Sequence, residues 1–192
     1  MQNIKAGLSW LRQKATDIDD IALVYFSGHG ISIPGSTAYL LPVDFDGDVD
    51  VTGLDKSAMV NTLRRINGRV VVFIDACYAA DGLQLSTVRG TRRLDTGGLI
   101  SEFADSQNGI IAFASSSGTE RSYAADRNGY FTKALIEALQ FYDRRADERV
   151  LLTGDINAYL QRRVPALAEP KRQTPIMQMS PVAKSIPLAM RQ

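Results

Sequence analysis

The sequence predicts an α/β fold with a mostly parallel central sheet layered between helices. Two continuous apolar runs, 21–26 (IALVYF) and 70–74 (VVVFI), are rich in branched and aromatic residues. Such runs suit strands buried on both faces, as in parallel sheets covered by helices. A third run, 109–116 (GIIAFASS), has the same character. Between these runs lie segments whose apolar residues recur at helical spacing. Strands that alternate with helices argue for a parallel sheet.

The elements follow in chain order. Residues 3–15 place Ile4, Leu8 and Leu11 on one helical face, with Trp10 beside them. The strand at 21–26 is expected to stop at Ser27-Gly28-His29-Gly30, where glycines allow a sharp turn. A short strand is expected from Tyr39 to Val43, then an acidic loop at 44–50 (DFDGDVD). Residues 54–66 read as a helix, with Gly68 where a C-terminal stop belongs. The strand at 70–74 leads at once into Asp75-Ala76-Cys77. Residues 79–98 are glycine-rich and basic and read as a long exposed loop. Loops beyond about 12–15 residues in a compact domain are usually functional or disordered. A helix at 99–106 precedes the strand at 109–116. A loop follows, with a short strand at 121–124, then helices at 130–142 and 152–163. The proline-rich tail carries extended pieces at 175–179 and 185–190.

Composition narrows the function classes. A length of 192 residues fits one domain, 1–192, and 45% hydrophobic residues suffice for a full core. With 22 basic and 21 acidic residues the net charge is +1. That balance gives no long-range pull toward nucleic acid or an anionic membrane. The cluster Arg89, Arg92 and Arg93 is the local exception. A single cysteine excludes an internal disulfide and fits a reducing, cytoplasmic compartment. No apolar run approaches the roughly 20 residues of a membrane span, and the first ten residues have no signal-peptide core.

The chain has one cysteine and one histidine, so only one Cys/His pair can exist. In open α/β sheets, sites form beyond the carboxyl ends of the strands. His29 and Cys77 both sit there, each after a buried strand. The connection between those strands contains a helix, and such crossovers leave the strands parallel and near one another. Taken singly, a strand-end cysteine is usually a small core hydrophobe, and a histidine in a glycine turn is usually a turn residue. Their joint placement favours chemistry. A thiolate is the nucleophile, and a nearby imidazole promotes it. The imidazolium then protonates the leaving amine. Gly30 leaves its backbone N–H approachable, and that group with the Cys77 N–H can hold a developing oxyanion. One Cys and one His lack the spaced partners of a zinc site.

Ser27-Gly28-His29-Gly30 after one hydrophobic strand, with Asp75-Ala76-Cys77 after a second, resembles caspases and metacaspases, in particular the bacterial caspase-like type. His29 precedes Cys77 by 48 positions, close to the roughly 50 of the caspase signature. Ala114-Ser115-Ser116-Ser117, Ser122-Tyr123 and Gly129-Tyr130-Phe131-Thr132 resemble the small-subunit half. Gln173-Thr174-Pro175 with residues 187–189 (PLA) resembles the end of bacterial members. The resemblance implies a caspase-like three-layer sandwich lacking the N-terminal strands. A large-subunit part would span about 1–85, a loop 86–98 and a small-subunit part about 99–192. It also implies a cysteine endopeptidase with a His29/Cys77 dyad, an oxyanion hole from Gly30 and Cys77, and no organic cofactor.

Departures from the family pattern refine these expectations. Caspases carry glutamine two residues before the nucleophile; here Asp75 stands there, as in metacaspases. A carboxylate at the pocket base favours arginine or lysine at P1, and its structural alternative is a cap on the turn. Ala124 and Ala125 follow Tyr123 where caspases place an arginine. Ser27 and Asp126 are further pocket candidates. Family domains begin with a strand, a helix and a strand that are not matched here, so the sheet edge is expected to recruit an N-terminal partner segment or a homodimer. Asp44, Asp46, Asp48, Asp50 and Asp55 offer oxygen ligands of the calcium type, without a complete EF-hand loop. A solvated acidic stretch is the favoured reading and calcium the alternative. The loop with Arg89, Arg92 and Arg93 is either a solvated linker or a site of autocleavage. A catalytically idle caspase-like scaffold is the rival from another class, and a thioesterase or amidase the rival chemistry.

Overall fold

The computed structural model describes residues 1–33, 38–78, 92–104, 109–118, 120–125, 128–141 and 150–190. Its centre is three parallel strands. β1 (Ile21–Ser32) pairs with β4 (Arg69–Tyr78) from Ile21↔Arg69 to Gly30↔Tyr78. β4 pairs with β6 (Ile110–Ala114) from Val70↔Ile110 to Ile74↔Ala114. Antiparallel strands flank this centre. β10 (Ile176–Met179) lies beside β6, while β2 (Ala38–Leu41) and then β3 (Leu54–Asp55) extend the sheet past β1. The order is β10-β6-β4-β1-β2-β3, and β5 (Arg92–Arg93) pairs with the end of β1. Two small ladders stand apart: β7 (Ala124–Ala125) with β8 (Asn128–Gly129), and β9 (Val150–Leu152) with β11 (Pro187–Met190).

The pleat sends alternate residues of each strand to opposite faces, and each face has its own core. Ala22, Val70, Val72, Ile74, Ile110 and Ala112 pack with Leu8 of α1 (Gln2–Lys14), Leu63 of α3 (Lys56–Leu63) and Phe103 of α4 (Thr96–Ala104). On the other side, Val71, Phe73, Ile111 and Phe113 pack with Phe131 of α5 (Tyr130–Phe141) and with Leu160 and Val164 of α6 (Thr153–Ala168). The result is three layers, helices on both faces of one sheet. α5 and α6 are also joined at the surface. Arg163 donates to both carboxylate oxygens of Glu137, at 2.6 and 3.1 Å, and the Tyr159 hydroxyl donates to the same carboxylate at 3.1 Å. The Arg163 contact holds the Glu137 carboxyl below the usual range.

Several local expectations are corrected. β1 does not stop at Ser27 but continues to Ser32. Glycine is compatible with extended backbone, and pairing with β4 and β2 carries the strand through the SGHG segment. The segment 54–66 is a two-residue strand followed by a shorter helix that ends at Leu63. Gly68 is therefore no helix stop. A Cβ there would lie 2.7 Å from the Asp20 backbone oxygen, so close packing explains the glycine. α4 begins at Thr96, inside the expected loop, and α6 runs through Pro165 to Ala168, where Val164 and Ala168 are buried. A one-turn helix, α2 (Val49–Thr52), interrupts the acidic stretch.

Burial on both faces holds for β4 and β6 but not for β1. Ile21, Leu23 and Tyr25 are 40%, 50% and 44% exposed. α5 and α6 lie over β4 and β6, and on β1 α5 reaches only as far as the Tyr25 hydroxyl, leaving these side chains largely exposed. Among the described residues, 21–28 also pair on one edge only, because β2 joins at His29. This contrast is measurable by urea unfolding. The rings of Phe73 and Phe113 stack with centroids 4.7 Å apart inside the second core. Phe113→Ala should cost about 3–5 kcal/mol, whereas Leu23→Ala on the bare face should cost about 0.5 kcal/mol.

Candidate active site

The parallel ladder of β1 and β4 places the candidate residues. Its last steps pair Ser27 with Asp75, Gly28 with Ala76, His29 with Cys77 and Gly30 with Tyr78. Positions 27, 29, 75 and 77 share the face of Val71 and Phe73. Adjacent strands lie about 4.8 Å apart, so His29 and Cys77 are immediate neighbours at the carboxyl end of the sheet. Ser27 and His29 are exposed, because the helices that cover Val71 and Phe73 do not extend over β1.

Gly30 is buried between β2 and the segment that follows β5. A Cβ there would fall 2.6 Å from Leu94 Cδ2 and 3.3 Å from the Tyr39 carbonyl oxygen. Close approach, not a turn, demands glycine at this position. β5 lies against Ile31 and Ser32, so the backbones of Arg92 and Arg93 are part of a ladder. Arg89 and Asp126 lie outside the described residues.

Asp75 is 3% exposed. Its Oδ2 accepts from the backbone N–H of Thr132 at 3.2 Å and from the Thr132 hydroxyl at 2.5 Å. Thr132 is the third residue of α5, where backbone N–H groups lack intrahelical acceptors. Asp75 therefore caps a helix 57 residues away in sequence, and the helix dipole favours a negative charge there. The expected alternative, a cap on its own turn, is replaced by this long-range cap, because position 75 lies within β4. The Tyr25 hydroxyl, 2.7 Å from Thr132 Oγ1, extends the chain of hydrogen bonds to β1. Asp75 Oδ1 is buried with no hydrogen-bond partner among the described residues. Burial pushes the Asp75 carboxyl above its ordinary range, and the Thr132 bonds and the nearby Ser115 hydroxyl oppose that shift.

Sequence reasoning did not assign roles to Thr132, Ser115, Ser122 or Gln173. Ser115 and Gln173 are fully enclosed, and Ser122 is buried beside them. The Gln173 amide donates to the Ser115 carbonyl at 2.9 Å and accepts from the Tyr123 N–H at 2.9 Å. The sequence signal was weak: two serines directly after an apolar strand, and a glutamine in a segment with no periodicity.

The carboxylates of the acidic stretch already have partners: Asp44 pairs with the Met1 amino group and Asp50 accepts from the Tyr39 hydroxyl at 3.2 Å. Asp46 accepts from the Asp48 N–H and the Thr52 hydroxyl. Asp48 caps α2, and Asp55 caps α3 through the Ala58 N–H at 2.8 Å. No group of three His, Cys, Asp or Glu side chains among the described residues converges as a metal site. No helix among the described residues is long and apolar enough to cross a membrane.

The raised Asp75 pKa has a consequence for stability. A carboxyl that binds its proton more tightly folded than unfolded stabilises the fold fully at pH below the ordinary carboxylate range. That contribution is lost as pH rises through the folded-state pKa. Asp75→Asn keeps an acceptor for Thr132 and removes the titration. Melting temperatures from pH 3.5 to 8 should show the variant gaining on the wild type across that window, then a constant difference.

The chain matches the caspase domain over residues 1–186. No curated protein matches it. Among solved structures, protein GSU0716 from Geobacter sulfurreducens aligns with a TM-score of 0.62 at 17% identity, covering 95% of this chain and 74% of that one. Caspase-1 from Spodoptera frugiperda aligns with a TM-score of 0.40 at 18% identity, covering 94% of this chain and 73% of that one. The first likeness bears on fold alone, and it agrees with the layered sheet described above. A family match along nearly the entire chain, on a sheet whose rim sets His29 beside Cys77, makes this chain a member of the caspase-domain peptidase family.

Proposed function

We propose that this chain is a cysteine endopeptidase that cleaves after arginine or lysine. The observation that carries the reading is the register of β1 and β4, which aligns the only histidine with the only cysteine on one face. In the proposed reaction His29 takes the thiol proton, and Cys77 Sγ attacks the scissile carbonyl carbon. The backbone N–H groups of Gly30 and Cys77 hold the oxyanion. The imidazolium then gives its proton to the departing amine, leaving a thioester on Cys77. His29 next deprotonates a water that attacks the thioester. The acid product leaves, and the thiol regains its proton.

The proposed specificity rests on Asp75. One carboxylate oxygen is held by Thr132, and the other has no partner within hydrogen-bond distance among the described residues. A guanidinium or ammonium that reaches Oδ1 would form a charge-assisted hydrogen bond in a water-poor setting. Ser27, aligned with Asp75 across the ladder, and Asp126 are proposed as further contacts. The reaction needs no organic cofactor. Calcium is not assigned a role, since Asp46, Asp48 and Asp55 already serve nearby backbone, Asp44 pairs with the Met1 amino group and Asp50 accepts from Tyr39.

Fluorogenic peptides with arginine, lysine or aspartate at P1, assayed in calcium and in EGTA, test this reading. Arginyl and lysyl peptides should be turned over equally in both buffers, with no turnover in Cys77→Ala. His29→Ala should lower kcat by about 100-fold or more. For arginyl peptides, kcat/KM should rise with pH as Asp75 ionises, with a midpoint above the ordinary carboxylate range. Cleavage only after aspartate would refute the role of Asp75, and silence with every peptide would favour an idle scaffold.

The same specificity would act on the chain's own basic loop, after Arg89, Arg92 or Arg93. Mass spectrometry of purified protein should find fragments ending at one of these arginines, and none from Cys77→Ala. A chain that stays intact while fully active would remove autocleavage from the account.

A further inference from the structure

Beyond the dyad and Asp75, a clasp on the loop that follows β6 stands out. Four consecutive residues, 171–174, grip Ser115, Glu120, Ser122 and Tyr123. Lys171 lies over the Tyr123 ring, its Nζ 4.6 Å from the centroid. Arg172 pairs with Glu120 at 3.0 Å, and the Thr174 N–H donates to the same carboxylate at 2.8 Å. Gln173, only 1% exposed, is the buried centre of the clasp. Its Nε2 donates to the Ser115 carbonyl at 2.9 Å and to Ser122 Oγ at 3.5 Å, and its Oε1 accepts from the Tyr123 N–H at 2.9 Å. The hydroxyls of Ser115 and Ser122 are themselves hydrogen-bonded to each other.

This loop borders Asp75. The Ser115 N–H donates to the carbonyl of Ile74, the residue before Asp75. The Ser115 hydroxyl is one of the groups that favour the charged form of Asp75. The Tyr123 carbonyl accepts from the Tyr130 N–H at the start of α5, the helix that Asp75 caps through Thr132. A buried amide that uses both its donor and its acceptor has a single favourable orientation, and it imposes that orientation on its partners. The Arg172–Glu120 pair sits at the surface, with the arginine side chain 87% exposed. An exposed pair of this kind fixes geometry weakly, which leaves Gln173 as the organiser.

We infer that Gln173 is a positioning residue of the specificity pocket, holding Ser122, Tyr123 and above all Ser115, which adjoins Asp75, in place. The inference rests on the proposal that Asp75 receives a basic P1 side chain. Gln173 touches no substrate in this account and acts through the two serines.

The test is Gln173→Met, close in volume and without hydrogen-bonding capacity. Paired peptides carrying arginine or its neutral isostere citrulline at P1 isolate the contribution of the Asp75 charge. Wild type should prefer arginine strongly. The variant should lose about tenfold of that preference, through KM, on the scale of one or two lost buried hydrogen bonds. Alkylation of Cys77 by iodoacetamide should proceed at the wild-type rate, since the β1–β4 ladder is untouched. A purely structural role would lower the melting temperature and leave the arginine-to-citrulline ratio unchanged, which would overturn the inference. If Gln173→Met does not fold, Ser122→Ala removes one arm of the clasp and should reduce the ratio in the same direction; an unchanged ratio there overturns it equally. A wild type that turns over no arginyl peptide defeats the specificity proposal itself, and this inference falls with it. An active wild type with an unaltered variant defeats this inference alone.

Discussion

The ten-residue parallel ladder between β1 and β4 is the constraint on which the rest of the molecule depends. A parallel pair has evenly spaced bonds and a fixed register. A slip by one residue would turn Ala22, Val24 and Phe26 away from the core with α1, α3 and α4. The hydrophobic pattern of Val70, Val72 and Ile74 holds the same register from the other strand. That register, set by burial in the lower half of the sheet, decides what meets at the rim. His29 is opposite Cys77 because Ala22 is opposite Val70. The candidate dyad is thus positioned by core packing some seven residues upstream, and no loop has to find its place first.

The second joint is Asp75 with Thr132. It fastens the start of α5 to the end of β4 and, through Tyr25, to β1. A buried carboxylate is costly unless its oxygens are paired. Here one oxygen takes two hydrogen bonds and a helix N-terminus, and the other takes none among the described residues. Burial raises the Asp75 pKa, and the hydrogen bonds oppose that shift without cancelling it.

Much of this was legible in the sequence, and the limits have identifiable causes. The strands read at 70–74 and 109–116 follow from unbroken apolar runs suited to burial on both faces, and the helices read at 3–15 and 130–142, observed as Gln2–Lys14 and Tyr130–Phe141, follow from apolar residues at helical spacing. The alignment of His29 with Cys77 was also readable, because strand, helix, strand leaves few topologies. The glycines of SGHG misled: Gly28 packs beside the Phe26 ring and Gly30 against Leu94, and the second approach comes from a neighbour 64 positions away that no local pattern reveals. The half-bare face of β1 was equally hidden. Ile21, Leu23 and Tyr25 read like any buried strand, and their exposure depends on where α5 and α6 come to lie. The Asp75–Thr132 and Gln173–Ser115 bonds join residues 57 and 58 positions apart, beyond the reach of any local pattern.

Local rules of stability and the proposed chemistry part company at one place, the Asp75 oxygen that has no hydrogen-bond partner among the described residues. An apolar residue of similar size would remove the desolvation cost, and an asparagine would keep the helix cap without the charge. Neither would offer a partly satisfied negative charge to an incoming cation. Departures from self-consistent packing concentrate at functional sites. The surrounding structure compensates for this one: Thr132 and the α5 dipole support one oxygen, and the Gln173 amide fixes the backbone of Ser115, whose hydroxyl favours the charged form. A group of this kind destabilises the empty site and strengthens the occupied one, because the ligand's charge replaces the missing partner. The cost is the stability expected to be lost with rising pH, and the proposed benefit is a preference for a basic side chain. Both trace to the same carboxylate.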